Sequence, residues 1–188
     1  MRYISGYLAM GVECELPTPG KWNITKQEFL NDELFKSRES DESPFKNFGI
    51  EKDKLVPYRE FCCFNVANHV RAYLDMLYDG EFELLDGMFA ECINNAKARQ
   101  DIFMCVYGKL RHLACFSKVN KFMEKEFGNA WYSYVSSVES MAEHIANRAE
   151  AIEEIKRIQE ESSKVGGTSA HDYDLKNLSK VTIKQEVQ

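Results

Sequence analysis

The chain has no long apolar run. No stretch approaches the roughly 18 uncharged residues that a membrane-spanning helix needs, so no membrane association is expected. It also lacks runs of lysine or arginine, and its formal net charge is −6 with a pI of about 5.4. A general nucleic-acid binder concentrates positive charge on one face, and this composition argues against one. No apolar leader opens the sequence: Arg2 runs into Tyr3-Ile4-Ser5-Gly6. The reading is a cytoplasmic protein whose six cysteines stay reduced.

Cofactor and metal signatures are equally scarce. There is no phosphate-binding loop, no dinucleotide-type glycine pattern and no His-Glu-x-x-His. Cys62-Cys63 has His69 nearby but no second close pair to complete a four-ligand zinc set. No metal and no cofactor are therefore expected, and the cysteines read as buried apolar residues. A thiol nucleophile needs a histidine beside it. His69, His112 and His144 fall on three different expected helices, and Cys115 follows His112 by three. Nothing in these spacings demands a catalytic pair; His69 reads as a hydrogen-bonded core residue and His112 as surface.

What is present is helical periodicity. Apolar residues are 44% of the 188, enough for a real core. In Asn65–Tyr78 the positions Val66, Val70, Tyr73, Leu74 and Leu77 recur at helical spacing. Asn65 is the expected cap and Asp79-Gly80 the stop. This is the helix on which the rest is expected to pack. Asn65, Asn68, Arg71 and Asp75 share one polar face at spacings of three, three and four. They are candidate ligand-binding residues for a small anion. The competing readings are a solvated face, with Arg71 and Asp75 an ordinary surface pair, or buried hydrogen bonds clamping Tyr3–Met10.

Residues 1–60 read as an irregular segment wrapped over the core. Tyr3–Met10 is either a short buried strand or an irregular stretch. Thr25-Lys26-Gln27-Glu28 resembles a capping box opening a helix over Lys26–Phe35, with Phe29, Leu30 and Leu34 buried. Ser37–Ser43 reads as an exposed loop. Further helices are expected over Glu81–Phe89, over Asp101–Leu113 capped by Asp101, and over Ser117–Phe127 capped by Ser117 and closed by Gly128. Gly108 is expected to permit close helix packing.

The last helix is the longest, from Ala130 to about Ser162. Its apolar positions Trp131, Tyr134, Val138, Met141, Ile145, Ile152 and Ile155 alternate by three and four, with Arg148 in the seam. At about 1.5 Å per residue it is roughly 50 Å long, more than the about 35–40 Å width of a compact domain of this size. Its far end is expected to leave the globule, unless it breaks near Asn147 and folds back. Met141, Ile145, Ile152, Ile155 and Ile158 are the candidate partner-binding residues, for another protein or a second copy.

The expected fold class is thus mostly α. Residues 1–128 form a compact helical domain with an irregular N-terminal wrapping segment, 129–162 a long C-terminal amphipathic helix, and 163–188 a flexible tail. Tyr3–Ala9, Phe48-Gly49-Ile50-Glu51, Asn65–Ala72 with Leu74-Asp75, and Phe122–Glu126 together resemble a group of small bacterial proteins associated with toxin–antitoxin or phage-defence gene neighbourhoods. The resemblance covers about residues 1–135, and the long helix beyond Val135 departs from it. It implies an antitoxin-like or regulatory role and supplies no catalytic residues. A non-enzymatic protein-binding regulator is the leading expectation, and a small-ligand-binding regulator or enzyme using the 65–78 face is the alternative.

Overall fold

The computed structural model describes residues 1–59 and 63–164; Cys62 and the expected tail beyond Lys164 lie outside the described residues. The chain divides into two compact units, one from Met1 to Glu139 and one beginning at Ser140. Helices make up most of the regular structure, and they are joined by a four-stranded sheet. No helix of the described residues is long and apolar enough to cross a membrane.

The sheet is the main correction to the expected fold. It consists of β1 (Arg2–Ile4), β2 (Ser37–Glu39), β3 (Ile50–Leu55) and β4 (Cys63–Ala67), in the order β2-β1-β4-β3. Strand β1 pairs antiparallel with β2 and parallel with β4, and β3 pairs antiparallel with β4. Three of the four strands come from the segment read as irregular. Two of these have only three residues each, too short for alternation to stand out. Ser37–Glu39 reads as a loop because its polarity hides a pairing with Arg2–Ile4, in which Arg2 Nε also donates to Ser37 Oγ at 2.9 Å.

Tyr3–Met10 begins in a strand, as one of the two readings has it, but continues into a helix that neither foresees. After β1 the chain turns at Gly6 and enters a 3-10 helix, Tyr7–Gly11, in which Leu8, Ala9 and Met10 are fully buried. Helix α1 is Lys26–Leu30, shorter than expected. Its capping box is present: Glu28 N–H donates to Thr25 Oγ1 and the Thr25 N–H donates to Glu28. Phe29 is buried as expected, whereas Leu30 is exposed.

Helix α2 is His69–Asp79. It starts later than expected because the preceding residues belong to β4. The cap is Asn68, whose Oδ1 accepts from the Arg71 N–H at 2.9 Å, not Asn65. Gly80 closes it with φ 78°. Every residue from His69 to Leu77 is buried, so α2 is enclosed on all sides rather than amphipathic. The 3-10 helix, α3 (Phe82–Leu85) and α4 (Ala96–Cys105) pack against it. Full burial of Leu74 and Leu77, at about 1.5–3 kcal/mol each, helps make α2 the centre of the core.

Asn95, not Asp101, caps α4, accepting from the Ala98 N–H at 3.0 Å. The helix loosens into a π turn, Val106–Leu110. Gly108 sits in that turn with nothing within 4 Å of where a Cβ would stand, so close packing is not its role. Ile102, Val106 and Leu110 are buried, while Leu113 is largely exposed. Helix α5 is Phe116–Phe127, one residue longer than expected and without a side-chain cap; Val119, Phe122 and Met123 face inward. Helix α6, Asn129–Lys164, begins with a buried Trp131. Its indole meets Phe103 edge-on at 5.2 Å and stacks on Tyr134 at 5.9 Å.

Candidate functional sites

Three places carry more than packing: a buried ionic network under α2, a cavity at the α2 N-terminus, and the apolar row on α6.

The network contains the candidate ligand residues. Arg71 and Asp75 have no exposed surface at all, so the surface-pair reading is corrected. Their side chains meet at 3.0 Å, Nε to Oδ1. Arg71 also donates to the carbonyls of Lys46 and Phe48, at 2.6 and 2.7 Å, and to the Tyr3 hydroxyl. Tyr3 Oη and Ser5 Oγ both donate to Asp75 Oδ2, at 2.8 and 2.5 Å. The guanidinium lies over the Tyr3 ring, 4.7 Å from its centroid. Asn65 Nδ2 donates to the Arg2 carbonyl at 2.9 Å. The four residues therefore hold β1 and the 46–49 turn against α2 and β4. That turn reaches Arg71 through Gly49 (φ 67°), where a Cβ would stand 2.7 Å from Arg71 Cβ. A ligand reaching Arg71 would have to displace two carbonyls and a tyrosine.

The network gives the protein an alkaline limit. Burial, with the charge of Asp75 adding to it, pushes the Tyr3 hydroxyl from 10.0 up to about 12. The unfolded chain ionises this group from about pH 10 while the folded chain keeps its proton. Stability is thus whole below pH 10 and declines between pH 10 and 12, by on the order of 2–3 kcal/mol from this group. Urea denaturation at pH 8 to 11.5 should show a shallower decline in Tyr3→Phe than in wild type. Parallel curves would mean that Tyr3 does not carry the effect.

The cavity lies where the chain after the 3-10 helix passes the start of α2. It has a volume of about 460 Å³, and its lining includes Leu16, Pro17, Pro19 and Trp22 together with Glu13, Lys21 and His69. His69 is buried, as expected. Its Nε2 lies 3.1 Å from the Val12 carbonyl and its Nδ1 2.6 Å from Thr18 Oγ1. A carbonyl only accepts, so Nε2 carries the proton and Nδ1 presents its lone pair to Thr18. The Thr18 hydroxyl has one proton, and Nδ1 at 2.6 Å takes it in preference to the Leu16 carbonyl at 3.5 Å. Thr18 Oγ1 is then free to accept from Cys14 Sγ, 3.7 Å away.

Cys14 is half-buried, and burial alone raises the pKa of a thiol. Its neighbours His69 and Thr18 together outweigh this, leaving Cys14 below the usual thiol value. Burial holds Cys92 and Cys105 above it, the latter at about 11. Gly20 makes the arrangement possible: at φ 67°, a Cβ there would stand 2.6 Å from His69 Cε1 and 2.8 Å from the Met10 carbonyl.

The pair Cys14–His69 has no signature in the sequence, because 55 positions separate its members. Of the Cys62-Cys63 pair near His69, Cys62 lies outside the described residues. Cys63 is exposed. His112 is exposed and accepts from Arg111 Nε at 2.8 Å. Among the described residues no cluster of three His, Cys, Asp or Glu side chains is placed to hold a metal ion.

On α6 the structure places Met141, Ile145, Ile152, Ile155 and Ile158 on the surface, with Met141 and Ile145 about two-thirds exposed (65% and 64%). Trp131 and, in part, Tyr134 and Val138 are buried. The chain matches no family model, no curated protein and no solved structure at a significant level.

Proposed function

We propose that the chain is a protein-binding regulatory protein whose C-terminal helix pairs with an amphipathic helix of a partner. The observation that supports this is the row Met141, Ile145, Ile152 and Ile155: four large apolar side chains, all exposed on one helix. Their spacing, with Arg148 between Ile145 and Ile152, is the three-four repeat of a coiled-coil seam. Ala142 and Ala149 flank it and let another helix approach closely. Exposed apolar rows of this kind cost solubility unless something covers them.

Arg148 selects the occupant. The residues three and four positions away are His144, Ile145, Ala151 and Ile152, none of them acidic. A seam arginine fixes partner and register by facing an opposite charge. The fitting partner is therefore an apolar heptad helix with an aspartate or glutamate opposite Arg148. A second copy in parallel register sets Arg148 against Arg148, and like charges there repel. The proposed setting is that of an antitoxin-like regulator or a phage- or mobile-element-defence component. The short-motif resemblance of residues 1–135 supports that setting.

The test is to recover tagged full-length protein from the cells that make it and weigh the complex under native conditions. One stoichiometric partner with such a helix is expected. Ile152→Asp with Ile155→Asp should release it while the melting temperature stays at the wild-type value. Arg148→Glu should weaken the complex more than Arg148→Lys. A double variant with the wild-type mass and partner overturns the reading. A doubled mass lost in the double variant assigns the seam to a second copy instead.

A further inference from the structure

The cavity at the start of α2 is independent of the helix seam, and its chemistry points elsewhere. A nucleophile becomes useful when a base stands within hydrogen-bond reach and a third group holds that base in the right tautomer. Cys14, Thr18, His69 and the Val12 carbonyl supply these parts in sequence. Sγ lies 3.7 Å from the Thr18 hydroxyl, which lies 2.6 Å from Nδ1, and Nε2–H is held by the carbonyl at 3.1 Å. Open space adjoins them. The cavity of about 460 Å³ suits a small organic molecule. Its lining is mixed, with Leu16, Pro17, Pro19 and Trp22 apolar and Glu13 and Lys21 charged, and Trp22 is 90% exposed.

We infer that Cys14, Thr18 and His69 form a thiol acyl-transfer site, taking a small ester or thioester with an apolar acyl group. The Cys14 proton passes to Thr18 Oγ1 as the Thr18 proton passes to His69 Nδ1. The thiolate sulfur attacks the carbonyl carbon, and a carbon–sulfur bond forms. The bond from that carbon to the leaving oxygen or sulfur breaks, and the leaving group takes its proton from His69 through Thr18. Water then attacks the acyl-sulfur carbon and gives its proton back by the same route. The carboxylic acid leaves and Cys14 is again a thiol. No electrons are exchanged with an outside reagent. His69 is the base, the Val12 carbonyl positions it, and the side-chain-free Gly20 leaves it room.

The experiment uses the full chain and p-nitrophenyl acetate as the probe, with p-nitrophenolate release followed by absorbance and the acetyl group located by peptide mass. An initial burst of one equivalent is expected, with the acetyl group on Cys14. Exposed Cys63 serves as the internal control and should acylate far more slowly. Cys14→Ser should abolish the burst. Thr18→Val keeps the shape of a half-buried side chain and should slow acylation about a hundredfold, the usual scale for losing a proton relay. A second measurement needs no variant: the rate of iodoacetamide alkylation of Cys14 against pH should rise at lower pH than that of an ordinary free thiol. The proposal is overturned by acetyl on Cys63 as fast as on Cys14, by an undiminished burst in Cys14→Ser, or by Thr18→Val reacting at the wild-type rate. Alkylation of Cys14 without any burst also overturns it, since the thiol would then be reactive but unable to take an acyl group.

Discussion

Replacing Arg71 with alanine is expected to cost about 3–5 kcal/mol of folding stability, because it leaves the Asp75 carboxylate buried and unpaired. The side chain has no exposed surface, so water does not substitute for it. Four groups lose a donor at once: Asp75 Oδ1, the Lys46 and Phe48 carbonyls, and the Tyr3 hydroxyl. Asp75→Ala should cost a similar amount by stranding the guanidinium. The double replacement Arg71→Leu with Asp75→Leu should cost less than the two singles together, since it removes the uncompensated charges. It should not restore wild-type stability, because the two carbonyls and Ser5 Oγ still lack partners. Urea denaturation of the four proteins measures all of this. If Arg71→Ala keeps the wild-type midpoint, the network does not clamp the N-terminal strand, and Asn65, Asn68, Arg71 and Asp75 return as ligand candidates.

Trp131→Ala should be nearly as costly, about 3–5 kcal/mol, on the scale of large aromatic deletions in cores. Trp131 is 1% exposed, and its ring touches Phe103, Tyr107 and Tyr134. Its Nε1 donates to Asn120 Oδ1 at 2.9 Å, tying the start of α6 to α5. Trp131→Phe keeps most of the ring and should cost markedly less. The chain has two tryptophans, and the other, Trp22, is almost wholly exposed. Wild-type fluorescence should therefore contain a blue-shifted component that vanishes in both variants. If emission is unchanged and the alanine variant melts with wild type, Trp131 is not part of the core.

The helices were legible where period and punctuation agreed. Val119, Phe122 and Met123 before Gly128 marked α5, and Thr25 with Glu28 marked the start of α1. The start of α2 was misread because Asn65 and Asn68 are equally good caps by residue type. Val66 fits the helical stripe and the strand alternation alike; β4 pairing with β1 and β3 decides between them. Helix α4 starts at Ala96 under Asn95, five residues before the Asp101 that reads as its cap: side-chain chemistry names candidates, and geometry selects one.

The candidate sites differ in how far they could be read. The row Met141–Ile158 is a local pattern along one helix, so its exposed members are in the sequence itself. The polar set Asn65, Asn68, Arg71 and Asp75 was also visible, but its surroundings were not. Spacing places Arg71 and Asp75 one turn apart, and their burial depends on Tyr3, Ser5, Lys46 and Phe48 arriving from far along the chain. Cys14 and His69 left no trace at all, since a pair 55 positions apart has no period.

By itself the sequence determined the helices with strong periodicity, the cap at Thr25, the charge that disfavours nucleic acid, and the apolar row on the last helix. All of these follow from interactions between residues within a few turns of each other. Only the tertiary structure decided that a four-stranded sheet exists, that α2 is buried on every side, and that Cys14, Thr18 and His69 meet at a cavity. Strand pairing, burial of charge and side-chain convergence each depend on segments distant in sequence, and no local pattern encodes which distant segment arrives.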